Sequence, residues 1–406
     1  MRHILIVSQY FFPESFRIND VAKEWVKRGN KVTVVTGIPN YPQGQYFEGY
    51  DKKNRRRETW EGVDIIRLPI RPRKSGSWNL AVNYLSFVFQ GRKWIKQTNI
   101  KADIVFTYEV SPMTQALIGV WYAQKCKIPH ILHVTDLWPE NVEIITGIHS
   151  KFVLAPIQWM VDYIYKRSAR ILTSSRSFID AVKCRGVLES KIDFWPHYAE
   201  DFYQPLEREP LPDFSDDGSF NVVFAGNIGY AQGLGLLPEV AIRLREKNKR
   251  VHFTIIGDGR FKSELERMIH EKNLEDYFVI LGRKPAEEIP KYLAYADALL
   301  ISLSRSKVFS ITIPAKTQSC LACGKPVLVS ADGEVQDIII EANAGLASAA
   351  EDASGLTENI VRMIDMPQGE LHLMGENALK YSKINFGKNE LLDKLDRIMD
   401  EEIENV

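Results

Sequence analysis

The chain has 406 residues, which is too many for one ordinary hydrophobic core and predicts two domains of roughly 150–200 residues each. Hydrophobic residues make up 45% of the chain and charged residues 26%, which excludes an intrinsically disordered protein. The formal net charge is zero, so no global field recruits nucleic acid and any electrostatic targeting must come from local patches.

The amino-terminal segment MRHILIVSQYFF has a short apolar run but lacks the long apolar region and cleavage site of a signal peptide. No stretch reaches the roughly 18 consecutive apolar residues of a membrane-spanning helix. We therefore expect a cytoplasmic protein. The pair Cys320 and Cys323 lacks the second ligand pair that a zinc site needs, so we interpret both as small buried helix residues.

Strand-like apolar segments alternate with helical patterns through the first 198 residues. The predicted strands cover residues 4–7, 32–36, 65–68, 104–107, 130–134 and 171–174. The predicted helices cover residues 19–27, 78–95, 113–125, 155–167 and 177–182. Strands separated by helices predict a parallel, doubly wound sheet.

A segment rich in proline and aspartate then predicts a linker over residues 199–219. A second α/β alternation fills residues 220–384, and a final helix within residues 385–406 is expected to pack back on the first domain. The second set of strands covers residues 222–225, 252–256, 278–281, 298–303 and 326–329. The helices between them cover residues 236–247, 261–272, 286–295 and 315–321. We predict an α/β protein with two Rossmann-like domains facing across a cleft, which is the default ligand site.

Residues 299–337 are the most informative part of the second domain. A strand, a polar loop with the cations Arg305, Lys307 and Lys316, a helix, a second strand and the start of another helix follow one another there. Ligands of parallel sheets bind outside the carboxyl ends of the strands, where both loops of this segment lie. Their cations, helix N-termini and Glu334 suit a nucleotide diphosphate with its ribose.

A glycine-rich turn follows the first strand of the second domain. Gly226, Gly229 and Gly233 allow the backbone to approach a ligand closely, and the next helix N-terminus attracts phosphate oxygens. An ordinary tight turn between a strand and a helix is the alternative. The turn IGDG at residues 256–259 is a weaker signal of the same kind. Neither turn matches the dinucleotide motif, which argues against a nicotinamide dehydrogenase.

Polar residues also collect where strands of the first domain are predicted to end. The sequence HVTDLWPE places His133, Asp136 and Glu140 near a strand terminus, although a lone histidine is commonly structural. The sequence QYFFPESFRIND joins the first strand to the first helix, a position where loops often carry function. Capping of that helix by Asn19 or Asp20 is the alternative.

A basic segment and two unusually apolar helices point to a surface function. The nine cations of the segment are Lys52, Lys53, Arg55, Arg56, Arg57, Arg67, Arg71, Arg73 and Lys74. Residues 78–90 and 152–166, placed on helices, each leave only one narrow polar stripe. This combination predicts binding to an anionic membrane surface. Two ordinary core helices beside a solvated basic loop are the alternative.

Together these segments resemble the family 4 glycosyltransferases of the GT-B fold, and the resemblance spans nearly the whole chain. It rests on QYFFPESFRIND, TGIPNYPQGQYFEGY, DLWPE, FAGNIGYAQGL, IGDG, LGRKP and TIPAKTQSCLACGKPVL. The chain is most similar to a subgroup that builds bacterial capsule or O-antigen polysaccharides, including transferases of N-acetyl-L-fucosamine. The resemblance implies a retaining transfer from a UDP-sugar without a metal or cofactor. The acceptor would be linked to undecaprenyl diphosphate, at the inner face of the plasma membrane.

The resemblance also implies site residues. Lys316 and Arg283 would stabilise the leaving diphosphate, and His133 would hydrogen-bond the donor sugar. The expected nucleotide-sugar site comprises second-domain residues: Gly226, Asn227, Gly229, Gln232, Gly257, Lys307, Thr312, Ser319 and Glu334. The expected acceptor site comprises first-domain residues: Phe16, Arg17, Asn19, Asp20, Tyr41, Asp136 and Glu140.

The chain departs from the wider family at some of these positions. Two glutamates that the wider family places eight residues apart are replaced, one near Ile311 and one by Ser319. Its arginine and lysine after the first strand of the second domain become Asn227 and Gln232. In a retaining front-face route the leaving phosphate can take the acceptor's proton, so no carboxylate pair is needed. A non-catalytic membrane-associated scaffold and a nucleotide-sugar 2-epimerase are the alternatives.

Overall fold

The computed structural model describes residues 1–74, 76–147, 150–212, 214 and 217–405. The chain divides into two units, of which the first comprises Met1–Pro196 with Leu392–Val406 and the second comprises His197–Leu391. The predicted linker therefore falls within the second unit, where Arg208 pairs with Asp297 at 3.2 Å. Three residues of that predicted linker lie outside the described residues: Asp213, Ser215 and Asp216.

The first unit is built on a mainly parallel sheet. Its strands are β1 (His3–Val7), β2 (Lys31–Gly37), β3 (Arg57–Trp60), β4 (Val63–Leu68), β5 (Ile104–Glu109), β6 (His130–Val134), β7 (Arg170–Thr173) and β8 (Ile192–Phe194). In the described residues they form one eight-stranded sheet with the order β3-β4-β2-β1-β5-β6-β7-β8. Neighbours pair in parallel except β3, which runs antiparallel to β4. Apolar runs such as ILIV in β1 are buried on both faces, as is typical of parallel sheets.

Helices cover this sheet. They are α1 (Arg17–Lys27), α2 (Ser77–Gln97), α3 (Ala116–Cys126), α4 (Glu140–Thr146), α5 (Lys151–Arg167) and α6 (Ser177–Lys183). Helix α2 lies close against α3 at Gly91, where an added Cβ would overlap the side chain of Ile118. Trp25 of α1 is fully buried and packs edge-on against Phe106 of β5 at 5.1 Å between ring centroids. These contacts fix the helices that flank the loops at the carboxyl ends of the strands.

The second unit has a parallel sheet. Its strands are β9 (Phe220–Ala225), β10 (Val251–Ile256), β11 (Phe278–Gly282), β12 (Ala298–Ser302), β13 (Val327–Ser330) and β14 (Gly345–Ser348). Its described strands form a six-stranded sheet with the order β11-β10-β9-β12-β13-β14. Its helices are α7 (Leu237–Glu246), α8 (Lys262–Glu271), α9 (Ile289–Tyr295), α10 (Lys307–Ser310), α11 (Lys316–Ala322), α12 (Glu334–Glu341), α13 (Ala353–Ile364) and α14 (Gln368–Asn385).

The last helix, α15 (Lys388–Glu404), belongs to the first unit from Leu392 onward. Leu392, Leu395 and Met399 are fully buried there. Arg2, beside β1, pairs with Asp396 of this helix at 2.7 Å. The carboxy-terminal helix thus completes the first unit, although almost the whole chain separates it in sequence from β1.

Some elements differ from the sequence prediction for identifiable reasons. Strand β3 has the sequence RETW, whose side chains are largely exposed, so it carries no apolar signal. Strand β14 has the sequence GLAS, which is short and weakly apolar. Helix α5 begins at Lys151, before the predicted start at residue 155, because Pro156 lies inside the helix instead of opening it.

Candidate functional site

The loops at the carboxyl ends of the second unit's strands are joined to one another. The N–H of Ile228, after β9, donates to the carbonyl of Asp258, after β10, at 2.8 Å. The N–H of Ser304, after β12, donates to the carbonyl of Ala231 at 3.0 Å. These bonds hold three loops together at the edge where ligands of parallel sheets bind.

Four residues at this edge form what we call the Lys316 site: Phe224, Gly226, Gln232 and Lys316. The Lys316 ammonium lies 3.9 Å from the centroid of the Phe224 ring and donates a hydrogen bond to Oε1 of Gln232. An added Cβ at Gly226 would lie 3.3 Å from Nζ of Lys316, so the glycine leaves the ammonium room. Burial lowers the pKa of this ammonium to about 7. A nearby anion would restore its full charge.

Two glycines, in the loops that follow β10 and β13, are required by packing. Gly257 has φ of +149°, and an added Cβ there would overlap the carbonyl oxygen of Gly226. Gly333, which precedes α12, has φ of +75°, and a Cβ there would overlap the carbonyl oxygen of Ser310. The IGDG turn therefore has a structural explanation, while the predicted ligand contact at Gly257 stays a prediction.

Other residues predicted for the nucleotide site lie at the same edge of the sheet and differ in burial and in hydrogen bonding. Glu334 is buried at the first position of α12, where a carboxylate is favoured by the helix dipole. The hydroxyl of Thr312 donates to the carbonyl of Val308 at 2.7 Å, within its own loop. Ser319 is buried inside α11. The remaining predicted residues Asn227 and Lys307 are exposed, and Gly229 is half-buried.

Arg283 is not part of the Lys316 site. It is exposed and follows β11, the outer strand, while Lys316 follows β12. Strands β10 and β9 lie between them, and at about 4.8 Å per strand this separation is roughly 14 Å across the sheet. The prediction that Arg283 and Lys316 act together on one leaving phosphate finds no support in this placement.

The first unit has its own cluster at the carboxyl ends of its strands, which we call the Tyr41 cluster: Tyr10, Phe16, Tyr41, Arg73 and Tyr84. The rings of Tyr10 and Phe16 stack with centroids 5.3 Å apart, and Tyr41 lies 5.4 Å from Tyr10. The Arg73 guanidinium lies 5.1 Å from the centroid of the Tyr41 ring. Aromatic surfaces and a cation thus converge where an acceptor was expected.

Glu14 holds the loops of this cluster in place. Its Oε1 accepts hydrogen bonds from the backbone N–H groups of Asn40 and Tyr41, at 2.7 and 2.6 Å. Burial raises the pKa of its carboxyl to about 7. The N–H of Arg73 donates to Oδ1 of Asn40 at 2.6 Å, which extends the chain of bonds to a third loop.

Among the residues predicted to bind the acceptor, Asn19 is engaged within the first loop. Its Oδ1 accepts from the N–H of Phe12 at 3.2 Å, and its Nδ2 donates to the carbonyl of Glu14 at 2.7 Å. Capping of α1 by Asn19 or Asp20 is wrong, because α1 begins at Arg17. The other predicted residues Arg17, Asp20 and Glu140 are half-buried near these loops.

Asp136 is half-buried after β6, where its Oδ2 accepts a hydrogen bond from the N–H of Ser111 at 2.8 Å. Its own N–H lies 3.3 Å from Oε2 of Glu109, a fully buried residue at the end of β5. Burial raises the pKa of the Glu109 carboxyl well above its usual range. Glu109 therefore supports the loop that presents Asp136.

His133 lies near the end of β6, as predicted, but its side chain is fully buried. It lies within β6, has no exposed surface, and packs against the rings of Tyr108 and Trp195, with centroids 5.5 and 4.7 Å away. Burial lowers the pKa of its imidazole to about 3, so the ring is neutral. This burial does not support the predicted hydrogen bond of His133 to the donor sugar, which stays a prediction.

Several residues of the Tyr41 cluster were missed by sequence reasoning. Arg73 was counted only as one of nine cations, and Tyr10, Glu14 and Tyr84 were not assigned. Their proximity follows from the strand order β4-β2-β1-β5-β6, which brings the loops after these strands side by side. The polar and aromatic composition of those loops could have indicated a binding site. The sequence pattern alone does not specify the strand order that brings the loops together.

Exposed apolar side chains form a stripe on each of two helices, which we call the apolar stripes. The α2 stripe contains Trp78, Leu85 and Phe89, which are 79%, 62% and 68% exposed. The α5 stripe contains Phe152 and Trp159, which are 93% and 70% exposed. These exposed side chains depart from the alternative of two ordinary core helices, although both helices also bury residues such as Phe87 and Leu154, and membrane contact stays a prediction. None of the described helices is both long and apolar enough to cross a membrane.

Comparisons with known proteins extend over both units. Residues 15–196 match the family model for the glycosyl transferase 4-like domain, and residues 210–381 match that for glycosyl transferases group 1. WcaI of Escherichia coli strain K12, described as a colanic acid biosynthesis glycosyl transferase, is 25% identical over 353 residues. That alignment covers 81% of this chain and 83% of WcaI.

Solved structures share the fold. Sucrose-phosphate synthase from Thermosynechococcus elongatus has a TM-score of 0.79 at 15% identity. The match covers 100% of this chain and 100% of the synthase chain. HepE from Anabaena, solved in complex with UDP and glucose, has a TM-score of 0.72 at 14% identity, covering 99% of this chain and 100% of HepE. The predicted GT-B fold class is thereby confirmed.

We expect Gly257→Ala to destabilise the second unit by at least about 1–3 kcal/mol, because the new methyl group would overlap Gly226 in a strained backbone conformation. Thermal denaturation measures the loss. Gly369→Ala is the matched control, since a Cβ at Gly369 meets nothing within 4 Å. Equal melting temperatures of Gly257→Ala and the unchanged protein would contradict the close packing of these loops.

Proposed function

The chain belongs to the family 4 glycosyltransferases, and from this premise we propose that it moves a sugar from a UDP-sugar to a polyprenyl-diphosphate-linked acceptor in bacterial surface polysaccharide biosynthesis. The observation that carries the donor half of this proposal is the Lys316 site. There an ammonium lies beside a glycine turn at the carboxyl ends of parallel strands. A nucleoside diphosphate is the ligand that such a site suits.

The chemical problem is departure of the diphosphate from the anomeric carbon. Negative charge develops on the phosphate oxygens as that bond breaks, and a preorganised cation there is worth several kcal/mol of barrier. Lys316 supplies this cation, so the proposed reaction needs no metal. Because its pKa is near 7 in the free protein, Lys316 gains charge as the diphosphate binds beside it.

We propose a retaining transfer in which the acceptor hydroxyl attacks the face from which UDP leaves. The bond from the anomeric carbon to the phosphate oxygen breaks, the bond to the acceptor oxygen forms, and the acceptor's proton passes to the leaving phosphate. Asp136 would orient the acceptor hydroxyl, since it is half-buried at the carboxyl end of β6. This route requires no pair of catalytic carboxylates.

The names of related proteins support the choice of substrates. HepE was solved with UDP and glucose, which favours UDP as the donor nucleotide. WcaI is described as acting in colanic acid biosynthesis, which favours a surface polysaccharide as the product. The motifs shared with transferases of N-acetyl-L-fucosamine favour that sugar as the donor group.

The apolar stripes support a peripheral position on the inner face of the plasma membrane. Large apolar side chains exposed along two helices suit insertion into the boundary between lipid headgroups and acyl chains. Cations flank both stripes: Lys74 precedes α2, and Arg167 ends α5 with its guanidinium 3.8 Å from the Tyr163 ring. Anionic lipids would attract these cations.

We expect Lys316→Ala to lower the rate of sugar transfer at least about a hundredfold while leaving the fold intact, because the leaving diphosphate loses its cation. Transfer from UDP-sugars to a polyprenyl-diphosphate-linked acceptor is measured by product mass spectrometry. Lys272→Ala, which removes an exposed lysine after α8, serves as control.

Three results would argue against the proposal in different ways. A near-normal rate in Lys316→Ala would remove Lys316 from the reaction. A protein that binds no UDP in calorimetry would be a scaffold rather than a transferase. A changed UDP-sugar in the absence of any acceptor would identify an epimerase.

We expect UDP binding at pH 8 to take up as much as about one proton, because Lys316 is mostly neutral in the free protein and becomes charged beside the diphosphate. The affinity for UDP should accordingly fall as the pH rises above 7. Calorimetry in two buffers with different ionisation enthalpies measures the uptake. Lys316→Arg, whose guanidinium stays charged, should bind UDP without it. A binding enthalpy independent of the buffer in the unchanged protein would refute this assignment.

We expect the double substitution Phe152→Ser and Trp159→Ser to weaken binding to vesicles containing anionic phospholipid at least about tenfold, since two exposed aromatic side chains leave the lipid boundary. Cosedimentation with vesicles measures the effect. Leu188→Ser, which changes an exposed apolar residue of the same unit, should have little effect. Equal binding of the double variant and the unchanged protein would exclude the α5 stripe from membrane contact.

A further inference from the structure

Arg73 is a half-buried cation in the loop after β4, and among the described residues no carboxylate pairs with its guanidinium. The groups that act on it are the hydroxyls of Tyr10, Tyr41 and Tyr84. Two buried or half-buried arginines of the first unit are paired with carboxylates: Arg67 with Glu58, and Arg2 with Asp396. A cation withdrawn from water without a carboxylate partner is costly, so the setting of Arg73 suits an anionic ligand.

The position of Arg73 is fixed by the loops around it. Its backbone N–H donates to Asn40, whose own backbone N–H is held by Glu14. Gly44 has φ of +73°, and an added Cβ there would overlap the carbonyl oxygen of Arg73. The guanidinium is therefore presented by a rigid, interlocked set of three loops, as a preorganised binding group requires.

The Arg73 loop is linked both to a helix with an apolar surface and to a carboxylate. It is joined to α2, because the N–H of Arg71 donates to Oγ of Ser86 at 2.9 Å. Trp78 and Leu85 of the α2 stripe are exposed on the same helix. Tyr84, also on α2, is influenced electrostatically by both Arg73 and Asp136. Apolar side chains, a guanidinium, a tyrosine and a carboxylate are thus associated with one helix and the loops beside it.

We propose that Arg73 binds the diphosphate of the acceptor lipid. These groups are of the kinds that a polyprenyl-diphosphate-linked sugar needs, with the lipid tail placed along the α2 stripe, the diphosphate at Arg73 and the sugar toward Asp136. A guanidinium binds two phosphate oxygens at once, and the surrounding tyrosine hydroxyls can donate further hydrogen bonds. This inference rests on the proposed function, because it assigns a residue to the acceptor of the same reaction.

The test uses farnesyl diphosphate, a short soluble polyprenyl diphosphate, and the full chain. Saturating UDP is present throughout, so that the Lys316 site is occupied and the probe must bind elsewhere. We expect farnesyl diphosphate to bind, and farnesol and inorganic pyrophosphate each to bind much more weakly. In Arg73→Gln the dissociation constant for farnesyl diphosphate should rise at least about tenfold. Calorimetry measures all three ligands.

Arg176→Gln is the matched control, since Arg176 is an exposed arginine of the same unit whose guanidinium lies 5.2 Å from the centroid of the Phe194 ring. It should change the dissociation constant by less than about twofold. Arg73→Lys keeps the positive charge but lacks the planar guanidinium, so its affinity for farnesyl diphosphate should be intermediate. If Arg73→Gln does not fold, the affinity of Arg73→Lys tests the proposal instead. Unchanged UDP affinity in the Arg73 variants shows that the second unit is intact.

Two results overturn the inference while leaving the donor half of the proposed function standing. One is farnesyl diphosphate binding equally to Arg73→Gln and the unchanged protein. The other is pyrophosphate binding as tightly as farnesyl diphosphate, which would mark a site for free phosphates instead of a lipid. A protein that binds no UDP would instead defeat the proposed function itself.

Discussion

Parallel strands joined by helices all end at the same edge of a sheet, and both units of this protein depend on that constraint. The loops that carry the Lys316 site and the Tyr41 cluster are far apart in sequence within each unit. They meet because their strands are neighbours: β9 with β12 in one unit, and β4-β2-β1 in the other. Within each unit, further residues allow these loops to approach one another closely.

The features that allow this close approach differ between the two units. In the second unit the loops approach through missing side chains, as at Gly257 against Gly226 and Gly333 against Ser310. In the first unit they are joined by buried polar groups, with the Glu14 carboxyl bonded to the backbone of the next loop. Burial of a carboxyl group costs free energy unless the group is hydrogen-bonded. The hydrogen bonds of Glu14 form only in this arrangement of the loops, so Glu14 stabilises this arrangement over others. Either feature makes the site more rigid than its loops would be alone.

The sequence was sufficient for the alternation of strands and helices and for the placement of Lys316 after an apolar strand. Strand β6 was predicted with the bounds that the structure shows. The burial of His133 was not predicted, because it depends on packing against the rings of Tyr108 and Trp195, which come from other strands and loops. The Tyr41 cluster was not foreseen because it depends on strand order, which local patterns do not specify. Strand β3 was not predicted, because an exposed, charged edge strand has no apolar periodicity.

The two cations suit different tasks because lysine and arginine respond differently to burial. An ammonium readily shifts its pKa, so Lys316 can be only partly charged at neutral pH without a ligand and fully charged beside a diphosphate. That response fits a group whose partner arrives with the donor and leaves as a product. A guanidinium stays charged in any protein environment. Arg73 therefore has a constant need for an anion, which fits a group that holds the acceptor's diphosphate before, during and after transfer. In the proposed reaction, the lysine would face the phosphate whose bonds change and the arginine the diphosphate whose bonds do not.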